Sequence, residues 1–295
     1  MIIGLIIGAV LVGQDLIRAA YIRAQISQIE KFNTAVNTFY GKYQALPGDM
    51  SNGVANTYGF SAAVHNAPNP AGAGFGDGNG IIDGGGAGEP GIPVGGFPGQ
   101  FSTYSAAFGE TAVFWGDLSS ATAGNLIEGG FNLAAETTTV YPSGTQISQY
   151  LPVAKLGSGN YVYVTEINGI NYFGIENVTG FFNSFGIEGV AGMTVAQAYN
   201  IDKKVDDGLP TTGRVAAMVS YVIPPSWVLG GPAASFDTYV PSGSLFSGTV
   251  GTAGNASGST TCFDAATGTE PTYSMEQNNG AGLNCALIMR MQGGD

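Results

Sequence analysis

Residues 1–50 read MIIGLIIGAVLVGQDLIRAAYIRAQISQIEKFNTAVNTFYGKYQALPGDM, and their character changes once along the stretch. The first thirteen residues carry no polar side chain, and the first charged residue is Asp15. Between residues 16 and 43, apolar side chains recur three, four or seven positions apart, a spacing that places them on one face of an α-helix. These residues are Ile22, Ile26, Ile29, Val36, Phe39 and Tyr43. The stretch therefore predicts one continuous helix, apolar all round at its start and amphipathic afterwards.

The predicted helix is unusually long. Neither Pro nor Gly occurs between residues 14 and 40, and Gly41 followed by the LPGD sequence of residues 46–49 supplies stop signals. A helix of about 45 residues would extend about 65 Å, whereas helices of globular proteins usually span about 8–20 residues. Such a length favours a coiled coil, a membrane span or a packed filament over an ordinary core helix.

The first thirteen residues are too short to cross a bilayer alone, which takes about 20 residues. They also lack the basic start and the small-residue cleavage site of a secretory signal peptide. We therefore expect this segment to be the C-terminal part of a longer hydrophobic helix.

Charge divides the chain into two parts. The 295 residues include nine basic and 21 acidic side chains, a net charge of −12. Residues 1–50 hold four basic and three acidic groups, which leaves five basic and 18 acidic groups, or −13, on the remaining 245 residues. We divide the chain into a helical segment, residues 1–47, and a globular head, residues 48–295. The acidity argues against a nucleic-acid partner and against charge-driven binding to anionic lipid. With one His and two Cys, the composition favours a protein that is not an enzyme.

The head is rich in turn-forming residues, since the chain of 295 residues contains 48 Gly and 14 Pro. Residues 71–100 are the extreme case and predict a long loop. Elsewhere the sequence predicts alternating short helices and strands. These elements are a helix at 110–126 with Trp115 against the long helix, a hairpin of strands 160–165 and 169–175, a helix at 194–200 capped by Thr194, a strand or helix at 215–223, and a closing strand at 286–291. A long helix on an antiparallel sheet with long Gly-rich loops is an α+β fold.

The hydrophobic-to-amphipathic helix and its LPGD turn resemble the type IV pilin and type II secretion pseudopilin superfamily. Residues 110–118 (ETAVFWGDL), 126–129 (LIEG) and 200–210 (NIDKKVDDGLP) are similar to parts of the heads of such proteins. The resemblance implies a pilin-like fold and a structural subunit of an extracellular, type IV pilus-like filament that polymerises through its N-terminal helix. Small residues would let helices approach closely. The residues expected to pack in the filament core are Ile3, Gly4, Ile7, Gly8, Leu11, Gly13 and Leu16.

The resemblance also implies partners and a location. The partners would be further copies of the chain, the inner membrane before assembly, and the pilus or type II secretion assembly machinery. The filament would lie at the cell surface. Family members begin with a leader that is cleaved before a methylated aromatic residue, with a glutamate shortly after it. None of this is present, so the resemblance implies that the mature helix starts upstream of Met1.

Two other functions are open. One is a minor pseudopilin at the tip of a type II secretion filament. The other is a helix-anchored, exported carbohydrate-binding protein in which exposed aromatic residues, such as Tyr104, Trp115 and Trp227, stack on sugars.

Cys262 and Cys285 are the only cysteines. In an exported protein they would form a structural disulfide, and the alternative is a pair of free, buried thiols in a cytosolic protein. A metal site is disfavoured because no further soft ligand lies nearby in the sequence.

Oxygen-bearing side chains among glycines predict either a calcium-binding loop or an ordinary acidic turn at residues 76–89. The candidate ligands are Asp77, Asn79, Asp83 and Glu89, and calcium is the one cofactor that the sequence suggests. A second acidic cluster, residues 202–207, contains two lysines that favour a solvated turn. His65 is predicted to be a loop histidine because no nucleophile motif accompanies it.

Overall fold

A computed structural model describes most of the helical segment and the framework of the head. The described residues are 2–61, 65, 76, 78–82, 109–132, 144–167, 170–182, 186–222, 225–229, 252–254, 260–264 and 270–292. The helices are α1 (Ile2–Tyr43), α2 (Asn52–Tyr58), α3 (Gly109–Ser119) and α4 (Val195–Val205), with 3-10 turns at Gly144–Gln149 and Asn278–Gly280.

The strands form one larger and two small sheets. They are β1 (Asn160–Ile167), β2 (Ile170–Phe182), β3 (Gly186–Val190), β4 (Met193–Thr194), β5 (Val215–Val222), β6 (Pro225–Leu229), β7 (Thr252–Gly254), β8 (Thr261–Asp264), β9 (Thr272–Tyr273), β10 (Leu283–Cys285) and β11 (Leu287–Arg290). The larger sheet has the order β1-β2-β11-β5-β6, and β3 pairs with β2. All of its pairs are antiparallel. The described chain is therefore α+β, with a long N-terminal helix and antiparallel sheets.

The second half of α1 packs on one face of the larger sheet. Phe32 of the helix meets Trp115 of α3 with ring centroids 4.8 Å apart, and it meets Phe173 of β2 at 6.0 Å. The predicted contact of Trp115 with the long helix is therefore present. These rings belong to a continuous buried core, because period-2 alternation turns Phe173 and Ile175 of β2 toward the helix.

Most predicted elements are present, with changed ends. The hairpin pairs Ile167 with Ile170, residues 215–222 form a strand, and Thr194 caps α4 through a capping box with Gln197. The helix predicted at 110–126 ends at Ser119. It stops there because the Ser120 hydroxyl accepts the Ala123 N–H and the backbone then turns left-handed.

The end of α1 also differs from the prediction. Gly41 lies inside the helix, and the left-handed residue that follows its end is Gln44, with φ 54°. Its side-chain amide donates to the carbonyl oxygens of Tyr40 and Gly41, so a polar side chain satisfies the last turn.

Candidate functional site

The first half of α1, residues 2–21, carries a large exposed apolar surface, and we call it the projecting half. Its large apolar side chains are mostly more than half exposed, from 75% at Ile3 to 48% at Tyr21. At 3.6 residues per turn, Ile3, Ile7 and Leu11 lie on one side of the helix and Leu16 lies near the opposite side. The surface is therefore apolar around the helix, a pattern that is ordinarily buried.

The glycines of the projecting half have no structural explanation inside the described chain. A Cβ atom added to Gly4, Gly8 or Gly13 would have no atom within 4 Å. Gly inside a helix costs about 0.5–1 kcal/mol relative to Ala, and no close contact within the chain accounts for that loss. Gly4 and Gly8 are spaced as in the small-xxx-small motif, which lets helix backbones approach each other.

The seven residues predicted to pack in a filament core all lie in this half, where Gly13 is half-buried and the others are exposed. Among the helices of the described residues, none combines the length and the apolar character that crossing a membrane requires.

The transition from exposed to buried occurs at Ile22, and two glutamines that follow fix the helix to the head. The Gln28 amide donates to the carbonyl of Val153 at 2.9 Å and accepts from the N–H of Lys155 at 3.0 Å. Gln25 is fully buried and accepts from the N–H of Leu156 at 3.0 Å. The apolar spacing of α1 does not identify these two glutamines as buried, because hydropathy alone assigns glutamine to solvent.

The LPGD turn joins α1 to the rest of the head. Gly48 has φ 84°, and a Cβ there would collide with the carbonyl oxygen of Glu110 in α3. Its N–H donates to the Asp117 carboxylate at 2.8 Å, and the second oxygen of that carboxylate lies 3.3 Å from Nε2 of buried His65. The turn is therefore fixed to α3 through its backbone. His65 lies in a bend outside the helices and strands, and it is a buried partner of Asp117.

Asp49, the last residue of the LPGD turn, organises part of the predicted calcium loop. Its carboxylate accepts the N–H groups of Gly78, Asn79 and Gly80 at 2.7–3.1 Å. The Asn79 side-chain oxygen accepts from the N–H of Ile81 at 2.7 Å. This backbone cradle binds a carboxylate of the chain itself. Asp77, Asp83 and Glu89 lie outside the described residues, so a calcium site there stays a prediction.

Two acids are buried in the head. Both carboxyl oxygens of Glu176 are buried and have no hydrogen-bond partner among the residues that the structure describes, and desolvation raises its pKa well above the ordinary value. The pKa of Tyr163 is also raised, mainly by desolvation and to a lesser extent by the nearby Glu176 carboxyl group. Burial raises the pKa of Asp202 to about 7, although its carboxylate accepts from the Tyr273 hydroxyl at 2.8 Å and from the Gly208 N–H at 3.0 Å.

Asp202, Asp206 and Asp207 each bring one carboxylate oxygen within 4.8 Å of the others. Asp206 accepts from the backbone N–H of Arg214, and Asp207 accepts from Leu209 and Thr212. These contacts explain the cluster as a means of holding the turn between α4 and β5.

Cys262 and Cys285 lie at disulfide-bonding distance, with Cα atoms 5.1 Å apart. The bond joins β8 to β10. Trp115, one of the three aromatic residues predicted to stack on sugars, is only 1% exposed and therefore cannot contribute to such a surface. The side chains of Tyr104 and Trp227 lie outside the described residues. Compared with known proteins, the chain matches no protein-family model, no curated protein and no solved structure.

Proposed function

We propose that this chain is a structural subunit of a helical filament of the type IV pilin and pseudopilin kind, with a core built from the projecting halves of many copies. The observation that carries this proposal is the projecting half itself, about 30 Å of exposed helix that packs against no other described part of the chain and is apolar around its circumference over residues 2–13. Monomeric soluble proteins rarely expose so large a continuous apolar surface.

The energetics favour burial against other helices. Fully burying an Ile, Leu or Val side chain contributes about 1.5–3 kcal/mol, and the projecting half offers Ile3, Ile6, Ile7, Val10, Leu11, Val12, Leu16 and Ile17. Side chains that surround the helix need neighbours on several sides. A bundle of like helices at the centre of a fibre supplies those neighbours, whereas a single partner covers only one side.

The glycines support the same arrangement. Gly4 and Gly8 have open space beside their Cα atoms within the chain, and that space fits a neighbouring helix backbone. The head would coat the filament. The resemblance adds three further parts to this proposal. The chain would lie in the inner membrane before assembly, the pilus or type II secretion machinery would assemble it, and the filament would lie at the cell surface.

A substitution that fills the open space beside Gly8 tests the proposal. Gly8→Leu adds apolar surface and raises helix propensity, so simple hydrophobic association predicts more assembly. Close helix packing predicts the opposite, and we expect Gly8→Leu to reduce filament yield at least about tenfold, since a Leu side chain in a close backbone contact causes overpacking. Negative-stain electron microscopy and sedimentation of the chain after detergent removal measure the yield.

Gly41→Leu is the matched control. Gly41 lies in the same helix, far from the projecting half, and a Cβ atom added there would likewise have nothing within 4 Å. Its filament yield should equal that of the original chain. Equal yields from Gly8→Leu and Gly41→Leu would contradict close packing at Gly8. In cells, fibres made mainly of this chain would indicate a major subunit, and traces of it in fibres would indicate a minor pseudopilin.

A further inference from the structure

A cleft lies where α1, α4 and the ends of β5 and β11 meet. It has a volume of about 180 Å³, and Glu30, Lys204, Arg214 and Arg290 line it together with Asn33 and apolar side chains. Glu30 is nine residues beyond Tyr21, or roughly 13 Å along the helix axis from the end of the projecting half. A copy that packs along the projecting half therefore comes close to this cleft.

The cleft is basic in an acidic protein. Three of the chain's nine basic side chains line it against one carboxylate, whereas the chain as a whole carries −12. The nearby Asp206 and Asp207 bind backbone N–H groups and Thr212. Within the part of the chain that the structure describes, no carboxylate oxygen lies within 4.0 Å of the charged nitrogens of Lys204 or Arg214.

Copies of a chain that carries −12 repel one another, and packing them side by side requires local charge complementarity. The described part of the head exposes acidic side chains, among them Glu128, Glu270 and Glu276. A carboxylate of a second copy is therefore the available partner that matches the cleft in charge and offsets the repulsion between copies.

We infer that this basic cleft binds an acidic surface of the head of a neighbouring copy, as a lateral contact that accompanies assembly of the helices. The contact depends on the filament function proposed above. Because the cleft and the acidic surface are different parts of one molecule, the contact is heterologous and propagates from copy to copy, as an open helical polymer requires.

The test reverses the charge of the cleft. Lys204→Glu combined with Arg214→Glu should reduce the sedimented, filamentous fraction about tenfold at low salt, because like charges would then face each other across the contact. The neutral pair Lys204→Gln and Arg214→Gln should have a smaller effect in the same direction. Circular dichroism and thermal melting of each variant establish that the head is folded.

The matched control is Lys42→Glu combined with Lys155→Glu, which changes the net charge by the same amount at exposed positions that do not line the cleft. It should assemble nearly as the original chain does. Equal assembly of the cleft variant and this control would overturn the inference. An original chain that forms no filaments would instead contradict the proposed function, so the two failures are distinguishable. Raising the salt concentration should weaken assembly of the original chain more than that of the neutral variant.

Discussion

At the scale of single residues, the least expected feature is a buried acid without a partner. Glu176 lies on β2 opposite Tyr161 of β1, and Gly189 of β3 leaves the space that its carboxyl group occupies. Burying a carboxylate without a hydrogen bond is costly, so desolvation raises the pKa of Glu176 well above its ordinary value and favours the protonated form.

This burial predicts a pH-dependent effect of Glu176→Gln. The unfolded chain loses the proton near the ordinary value of 4.5, whereas the folded chain retains it to higher pH. The folded state therefore binds more protons in this window, and the free energy of unfolding falls as pH rises. Glu176→Gln removes that decline, so the stability of the variant relative to the original chain should rise as the pH increases above the ordinary value of 4.5. Urea unfolding at several pH values measures the difference.

Asp202 provides an internal reference for that comparison. Its pKa, raised to about 7, produces a similar decline of stability from its ordinary value of 3.8 upward, and it does so equally in both chains. A stability difference between the two chains that does not change with pH would contradict protonated burial of Glu176.

At the scale of elements, the end of α1 is held by a short turn with many long-range contacts. Leu46 and Met50 are fully buried, Gly48 binds Asp117, and Asp49 binds the N–H groups of residues 78–80. The turn thus binds both α3 and residues 78–80 at the point where the long helix stops.

Gly48→Ala should destabilise the head strongly. The added Cβ enters both a left-handed backbone conformation and the space of the Glu110 carbonyl group, which together should cost at least about 2 kcal/mol. Gly41→Ala, in a helical and open position, should be neutral or slightly stabilising. Chemical denaturation of both variants tests this, and similar midpoints for the two would show that the turn tolerates a side chain.

Periodicity predicted the elements better than their contacts. The apolar spacing of α1 and the β-branched, aromatic run of β1 are local signals, and both elements formed where expected. Gln25, His65 and Glu176 were not predicted to be buried, because their burial depends on groups far away in the sequence. The Gln25 partner is Leu156, and the two are 131 residues apart.

At the scale of the whole molecule, the disulfide stabilises the C-terminal part of the head. It closes a loop of 23 residues that contains Tyr273, and the Tyr273 hydroxyl donates to Asp202 of α4. The disulfide therefore joins the two small sheets, and the Tyr273 hydrogen bond links them to α4, the helix that packs beside α1.

Reduction of this bond should lower the free energy of unfolding by about 3 kcal/mol, the value expected for a loop of this size. The chain with Cys262→Ala and Cys285→Ala serves as the control, since reductant should leave its stability unchanged. Alkylation without reductant, followed by mass spectrometry, should label neither cysteine in the folded chain. Labelling of both would contradict the pairing.

The hydrogen bond between the Gln292 N–H and the Asn33 side chain joins residues 259 positions apart. During synthesis, α1 emerges from the ribosome before residues 153–156 and 292, which bind it in the folded head. The amphipathic half of the helix therefore stays exposed until those later residues have been synthesised. A chaperone or a membrane surface that covers it during that interval would protect the nascent chain from premature association.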